Sequence, residues 1–139
     1  MNNLKETVIV QVRFSEVDAL RMVWHGNYLR YLEDAREAFG RKYGLDYRMI
    51  FDNGYITPVV DMHLEYKQPA TMDDILDVEI CYRAAKGGKI IFDYTIYKQK
   101  DKSLVLTAGT IQLFMTVEGV FEPSCPNFYA EWKRKWHQL

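Results

Sequence analysis

The chain has 139 residues, 48% of them hydrophobic and 27% charged, which is the composition of a domain that buries a core. A formal net charge of −1 argues against the basic surface of a nucleic-acid-binding protein. The first residues lack the pattern of a signal peptide, and no apolar run approaches the roughly 20 residues of a membrane span. We expect one domain over residues 1–139, no integral membrane segment and a cytoplasmic location.

Cysteine and histidine are sparse in this chain. Cys81 and Cys125 stand outside any CxxC or Cys/His pattern, so we expect two inert thiols instead of a disulfide or a nucleophile. His63 and His137 belong to no cluster with metal-ligand spacing. We therefore predict neither a metal ion nor a redox cofactor.

The first predicted element is a strand in which apolar and polar residues alternate. Its apolar face is predicted to consist of Val8, Val10, Val12 and Phe14. A loop over residues 16–24 follows and carries Asp18 toward the next element.

A long helix is predicted to begin at Tyr28, with Asn27 or Gly26 as its N-cap and Gly44 as its stop. Apolar residues recur along it at steps of three and four, which predicts a helix that lies on a sheet with one face. These residues are Tyr28, Tyr31, Leu32, Ala35, Phe39 and Tyr43. Residues 52–54, Asp-Asn-Gly, predict a turn, and no regular element is predicted between the helix and residue 55.

Four further strands are predicted from alternation, and hairpin turns are predicted at residues 87–88 and 100–102. The predicted strands are residues 60–67, 76–83, 90–97 and 104–115. The last one is apolar or small at nearly every position, which favours a central strand. The tail, residues 126–139, repeats aromatic residues every four positions and predicts a short amphipathic helix. We expect this helix to pack on its own domain or on a sister subunit, with a membrane-surface role as the alternative.

The chemistry of the chain is concentrated between Ser15 and Arg36, where Asp18 lies seven positions before His25. The first N–H groups of a helix lack internal partners and carry partial positive charge, so they polarise a carbonyl oxygen docked there. With Asp18 nearby, this segment offers a carboxylate that attacks or activates water and a site that stabilises an oxyanion. A turn-forming aspartate is the structural alternative.

The same residues carry a family resemblance. The run VRFSEVDALRMVWHGNYLRYLEDAR resembles the opening motif of the 4-hydroxybenzoyl-CoA thioesterase family, which includes the Tol-Pal-associated acyl-CoA thioesterases. The runs VVDMHLEYKQPATMDDILDVEI and GGKIIFDYTIYKQKDKSLVLTAGTIQLFMTVEG resemble its later strands. The resemblance implies an α+β hotdog fold, in which an antiparallel five-stranded sheet wraps a long central helix. To this the tail pattern adds a short carboxy-terminal helix.

The resemblance implies an acyl-CoA thioesterase without a cofactor, since CoA is part of the substrate. Asp18 would attack the thioester carbonyl or activate water, and the backbone N–H of His25 would polarise the carbonyl, with a role for the imidazole as the alternative. A homodimer or homotetramer with sites at the subunit boundary is also implied. Two other functions remain open: a hotdog hydratase or dehydratase that uses the His25 imidazole, and a non-catalytic acyl-CoA-binding module.

Five further residues are candidates for contact with the substrate. Trp24 and Tyr28 are candidates for the wall of the acyl pocket, with packing in the core as the alternative. Arg83, Lys86 and Lys89 gather around a predicted hairpin and are candidates for binding the CoA phosphates, with solvation as the alternative.

Two charged residues complete the candidate site. Glu33 is a second helix carboxylate, but we expect it to pair with neighbouring arginines on the exposed surface. Arg21 stands where the family pattern commonly has glycine or another small residue. Glycine accepts backbone angles that arginine resists, so we expect Arg21 either to be strained or to contact a substrate anion.

Overall fold

The computed structural model describes residues 3–139, in which five antiparallel strands form one sheet. The described residues contain seven strands: β1 (Lys5–Gln11), β2 (Tyr55–Ile56), β3 (Val59–Tyr66), β4 (Ile75–Arg83), β5 (Lys89–Lys98), β6 (Leu104–Leu113) and β7 (Met115–Thr116). The large sheet has the order β1-β4-β5-β6-β3, and β2 pairs with β7. The edge strands β1 and β3 each have one paired neighbour. Strand β6 pairs with both β5 and β3, so its predicted central position is confirmed.

Helix α1 (Tyr28–Tyr43) lies across this sheet and contacts β1 and β4. Its inward residues Leu32, Ala35 and Phe39 are completely buried. Gly44 ends the helix in the left-handed conformation, with φ of 72°, and donates its N–H to the Gly40 carbonyl. The predicted long helix on a five-stranded antiparallel sheet is therefore confirmed.

The predicted first strand is wrong at its end. Pairing of β1 stops at Gln11, and Phe14 lies in a 3-10 turn (Phe14–Glu16) with 80% of its surface exposed. The Val12 N–H still reaches the Asp74 carbonyl at 3.1 Å, but Arg13 donates its N–H to the Glu16 side chain. Alternation of apolar residues does not reveal where the hydrogen bonds of a strand end.

A short helix, α2 (Tyr47–Asp52), lies where no regular element was predicted. The Asp46 carboxylate caps it by accepting the Met49 N–H at 2.9 Å. Ile50 is buried, whereas Tyr47 and Phe51 are exposed. Six residues are too few to display a helical period, so the cap was the one available signal.

The carboxy-terminal helix, α3 (Asn127–Lys135), packs on its own chain, as one of the predicted alternatives stated. Trp132 and Trp136 both donate their indole N–H groups to the Tyr43 carbonyl, at 2.7 and 3.0 Å. These bonds fasten α3 to the end of α1. No helix within residues 3–139 combines the length and the apolar character needed to cross a membrane.

Strand β3 leaves apolar side chains uncovered. Val60, Met62 and Tyr66 are 46%, 37% and 51% exposed, although they belong to an edge strand of the main sheet. The sequence predicted one wet face for this strand, but its residues are mostly exposed on both faces. An edge strand with free backbone groups and apolar side chains is a pairing surface.

Candidate active site

The loop after β1 closes into a tight turn around Asp18. The Asp18 N–H donates to the Met22 carbonyl at 2.8 Å, and the Arg21 N–H donates to the Asp18 carbonyl at 2.9 Å. Oδ1 of Asp18 accepts the N–H groups of Leu20 and Met22 at 2.9 and 3.3 Å. Oδ2 accepts no hydrogen bond from the described part of the chain, and the side chain is exposed. Asp18 thus holds the turn through one oxygen and offers the other to solvent.

Arg21 occupies the left-handed backbone region, with φ of 63°. For an L-residue with a side chain this conformation costs roughly 1–2 kcal/mol. The predicted strain at this position is therefore present, directly beside the carboxylate of interest.

The helix start differs from the prediction. A 3-10 turn over residues 25–27 precedes α1, and Asn27 does not cap the helix with its side chain. Its Nδ2 instead donates to the Glu16 carbonyl at 2.9 Å. The N–H groups of His25 and Gly26 open the 3-10 turn, so no earlier turn satisfies them. The free N–H groups are therefore those of His25 and its neighbour.

Glu16 organises the loop, a role that the sequence did not reveal. Its Oε1 accepts the Arg13 N–H at 2.8 Å and the Tyr31 hydroxyl at 3.0 Å. Its carbonyl accepts the Trp24 N–H at 3.0 Å as well as the Asn27 amide. Burial, together with the neighbouring Glu16, raises the pKa of Tyr31, which therefore remains a neutral donor.

The indole of Trp24 covers the helix start. It is 52% exposed, its ring centroid lies 4.9 Å from that of the exposed His25 imidazole, and it rests on Gly26. A Cβ atom on Gly26 would overlap the indole, which explains glycine at this position. The Tyr66 hydroxyl, from the end of β3, donates to the His25 carbonyl at 3.2 Å. Tyr66 lies 41 residues from His25, and no local pattern predicts this contact.

Tyr28 lies in the core. It is 2% exposed, and its hydroxyl accepts the Ala70 N–H at 3.1 Å. Burial is the main reason that the pKa of Tyr28 is raised. Of the two residues predicted for the acyl pocket, Trp24 is therefore at the surface and Tyr28 is packed inside.

The predicted phosphate-binding residues occupy the hairpin between β4 and β5. Arg83 makes a bidentate pair with Asp93, at 2.9 Å from Nε and 2.5 Å from the terminal nitrogen. Lys86 and Lys89 are exposed. The hairpin backbone is held by the buried Lys133, whose Nζ donates to two carbonyls of the turn at 2.8 and 2.9 Å.

This hairpin lies at the opposite end of the sheet from Asp18. In the pairing of β1 with β4, Gln11 lies opposite Ile75, and Lys5 lies opposite Cys81. Asp18 follows the first of these pairs, whereas the hairpin follows the second. The length of β4 separates them by roughly 26 Å. A single chain does not bring the two predicted halves of the site together.

The remaining candidates are not placed for catalysis. Burial, followed by the charges of Asp93 and Glu79, raises the pKa of the Cys81 thiol and so disfavours its thiolate. Glu33 forms the predicted surface pair with Arg36, at 4.0 Å. Within residues 3–139, no group of three or more His, Cys, Asp or Glu side chains is arranged to hold a metal ion.

Comparison with known proteins agrees with this architecture. Residues 12–132 match the model of the family described as the Thioesterase-like superfamily. The acyl-CoA thioesterase YbgC of Haemophilus influenzae is 27% identical over 131 residues, which are 94% of this chain and 93% of that protein. The crystal structure of a hypothetical protein from Aquifex aeolicus is 29% identical, with a TM-score of 0.80 over 91% of this chain and 98% of that one.

The solved structure of 4-hydroxybenzoyl-CoA thioesterase from Pseudomonas sp. strain CBS-3 is 25% identical to this chain. It superposes with a TM-score of 0.80 over 92% of this chain and 98% of its own. The family match includes both the Asp18 loop and the basic hairpin. This chain therefore belongs to the Thioesterase-like superfamily and has the hotdog fold.

Proposed function

We propose that this protein is an acyl-CoA thioesterase that hydrolyses its substrate to a free acid and CoA. The observation that carries the proposal is the Asp18 loop, in which one carboxylate oxygen is held by backbone N–H groups and the other is free. The same loop ends at the unsatisfied N–H groups of His25 and Gly26. A carboxylate and an oxyanion site in one loop are what hydrolysis of a thioester requires.

In the proposed reaction the substrate carbonyl oxygen binds the N–H groups of His25 and Gly26. Asp18 accepts a proton from water while the water oxygen forms a bond to the carbonyl carbon. The tetrahedral intermediate then collapses, the C–S bond breaks, and the departing CoA sulfur takes the proton from Asp18. Direct attack by Asp18, followed by hydrolysis of the mixed anhydride, gives the same products.

We further propose that two copies pair through β3 into a homodimer, two of which would make a tetramer. Antiparallel pairing of two identical strands is self-complementary and covers the exposed Val60 and Met62. Pairing centred on β3 places Tyr66 of one subunit opposite Val59 of its partner. The helix start of one subunit then approaches the hairpin end of the other.

This pairing supports a composite site. In one subunit, only β6 lies between the edge strand β3 and Lys89 on β5, because the order of strands is β5-β6-β3. The partner's helix start is then about three strand spacings, or roughly 15 Å, from Lys89. Within one chain, the Asp18 end of the sheet and the hairpin end are farther apart, at roughly 26 Å. A CoA thioester reacting at Asp18 of one subunit would thus bind its phosphates to Lys86 and Lys89 of the other.

Release of free thiol from a panel of acyl-CoAs tests the proposal. Acetyl-, octanoyl-, palmitoyl-, benzoyl- and phenylacetyl-CoA span chain length and ring content. We expect turnover of at least one of them by the wild type and its loss in Asp18→Asn. Thiol release from none, or equal activity of Asp18→Asn, would contradict the proposal, and hydration of crotonyl-CoA would identify a hydratase instead.

A further inference from the structure

A groove between α1 and the sheet lies toward the hairpin end of the sheet, away from Asp18. It has a volume of about 650 Å³. Its apolar lining includes Ile50, Pro58, Ile90 and Phe92, while Glu33 and Arg41 are among the charged residues that also line it. We call this space the α1–sheet groove. Its interior is suited to an apolar group.

One polar group in the groove is unsatisfied. Gln112 on β6 is 7% exposed, and its Oε1 is the one buried side-chain oxygen or nitrogen without a hydrogen-bond partner in residues 3–139. Its Nε2 donates to the Thr57 carbonyl at 2.8 Å and to the Thr57 hydroxyl at 3.2 Å. Because a carbonyl only accepts hydrogen bonds, this contact fixes which end of the amide is the nitrogen.

The polar neighbours of Gln112 are engaged with one another. Thr110 lies two residues earlier on the same face of β6, and its hydroxyl bonds to Tyr94 at 2.9 Å. Arg36 donates to the Tyr94 hydroxyl at 3.5 Å and also pairs with Glu33. A buried acceptor without a donor is rare in native proteins, and a hydrogen-bond donor on a bound molecule would satisfy Oε1 of Gln112.

Pairing through β3 would bring this acceptor to the substrate. Gln112 lies opposite Val59 in the register of β6 with β3, at the strand end that the partner's helix start approaches. Gln112 shares its face of the sheet with Thr110, whose partner Tyr94 contacts Arg36 of α1. The groove and the partner's helix start are thus on the same face of the joined sheet.

We infer that the acyl group enters the α1–sheet groove of the partner subunit and that Gln112 selects acyl groups bearing a hydroxyl. This inference rests on the proposed thioesterase function. The hydroxyl donates to Oε1 of Gln112, while the apolar lining contacts the remainder of the acyl group. Gln112 is therefore a specificity-determining residue, because an acyl group without the donor leaves the buried amide oxygen unpaired.

Non-hydrolysable CoA thioethers test this inference separately from hydrolysis. Two matched pairs differ by one hydroxyl: S-(4-hydroxyphenacyl)-CoA with S-phenacyl-CoA, and S-(8-hydroxyoctyl)-CoA with S-octyl-CoA. We expect the wild type to bind the hydroxylated member of at least one pair about 10-fold more tightly by titration calorimetry. Gln112→Leu should remove that preference, and Gln99→Leu, a half-buried glutamine whose side chain contacts Asp77, should retain it.

Equal affinity within both pairs for the wild type, or an unchanged preference in Gln112→Leu, would overturn the inference. Since binding of thioethers requires no turnover, these outcomes are read even from a protein that hydrolyses nothing. If no thiol is released from any acyl-CoA but the preference for the hydroxylated thioether depends on Gln112, only the proposed thioesterase activity is contradicted.

Discussion

The two ends of α1 are built differently. At its start, the Asp18 loop is held by hydrogen bonds to the backbone and to the Asp18 carboxylate, contains a left-handed Arg21 and exposes a carboxylate and an indole. At the other end, α3 fastens the chain through Trp132, Trp136 and the buried Lys133. Strain and exposed polar groups concentrate where chemistry is proposed, whereas aromatic packing stabilises the end that carries the basic hairpin.

The largest effect is expected from Asp18→Asn. Asparagine retains an oxygen for the Leu20 and Met22 N–H groups, so the turn should persist while the charge and the base are lost. Turnover should fall by roughly 10²- to 10⁴-fold, as for removal of a positioned general base. Steady-state kinetics measures the loss, and Asp52→Asn, at the exposed end of α2, is the matched control.

The helix start gives the next largest effect. In Gly26→Ala the new Cβ overlaps the Trp24 indole and displaces the turn that carries the free N–H groups, which should lower kcat by about 10²-fold. His25→Ala keeps its backbone N–H, so a smaller loss is expected. If His25→Ala loses more kcat than Gly26→Ala, the imidazole takes part in catalysis and the backbone account is wrong.

The contribution of the helix-start end to the free energy of unfolding should also depend on pH, through Asp74. This carboxylate accepts the Thr71 N–H at 2.8 Å and pairs with Lys98 at 3.3 Å. Burial opposes its ionisation, but the Thr71 bonds and the Lys98 charge outweigh burial and lower the pKa of Asp74. Asp74→Asn should therefore lower the free energy of unfolding at pH 7 by about 1–3 kcal/mol.

A folded-state pKa below the unfolded value gives stability that is present above the unfolded pKa, near 3.9, and is lost as pH falls through the lower folded value. The difference between wild type and Asp74→Asn should therefore shrink below about pH 4. Urea unfolding across pH measures it. A difference that stays constant or grows at acid pH would show that the carboxylate charge is not the cause.

The smallest effect is expected at Arg21. Arg21→Gly relieves the left-handed strain but adds backbone entropy to the unfolded chain, so Tm should rise by an amount equivalent to about 1 kcal/mol or less. Lys102→Gly, at φ of 60° away from this loop, should give a similar rise and serves as the control. A raised KM in Arg21→Gly alone would assign an anion contact to Arg21, and a fall in Tm would refute the strain.

Periodicity predicted α1 and most of the main strands because each has a buried face that repeats along the chain. Their position just before the predicted helix start, together with the family resemblance, drew attention to Asp18 and His25. Contacts between distant residues were beyond periodicity: Tyr31 reaches Glu16 across 15 residues, and Tyr66 reaches His25 across 41. Such contacts depend on strand order and register.

Register also explains why the predicted phosphate-binding residues did not join Asp18 in one chain. The sequence places Lys86 and Lys89 in a hairpin but does not reveal which end of the sheet that hairpin occupies. Antiparallel pairing of β1 with β4 places it at the end opposite the Asp18 loop. A site that is divided in this way is the reason for the proposal of a dimer.

Complementation between two inactive subunits tests the composite site most directly. One chain carries Asp18→Asn, the other carries Lys86→Glu with Lys89→Glu, and differently tagged copies are co-expressed so that the heterodimer can be purified. A composite site predicts that the heterodimer regains about half of the wild-type activity, because one of its two sites combines an intact Asp18 with an intact hairpin. A folded heterodimer as inactive as both parent dimers would show that each chain holds its own complete site, and the account would be contradicted.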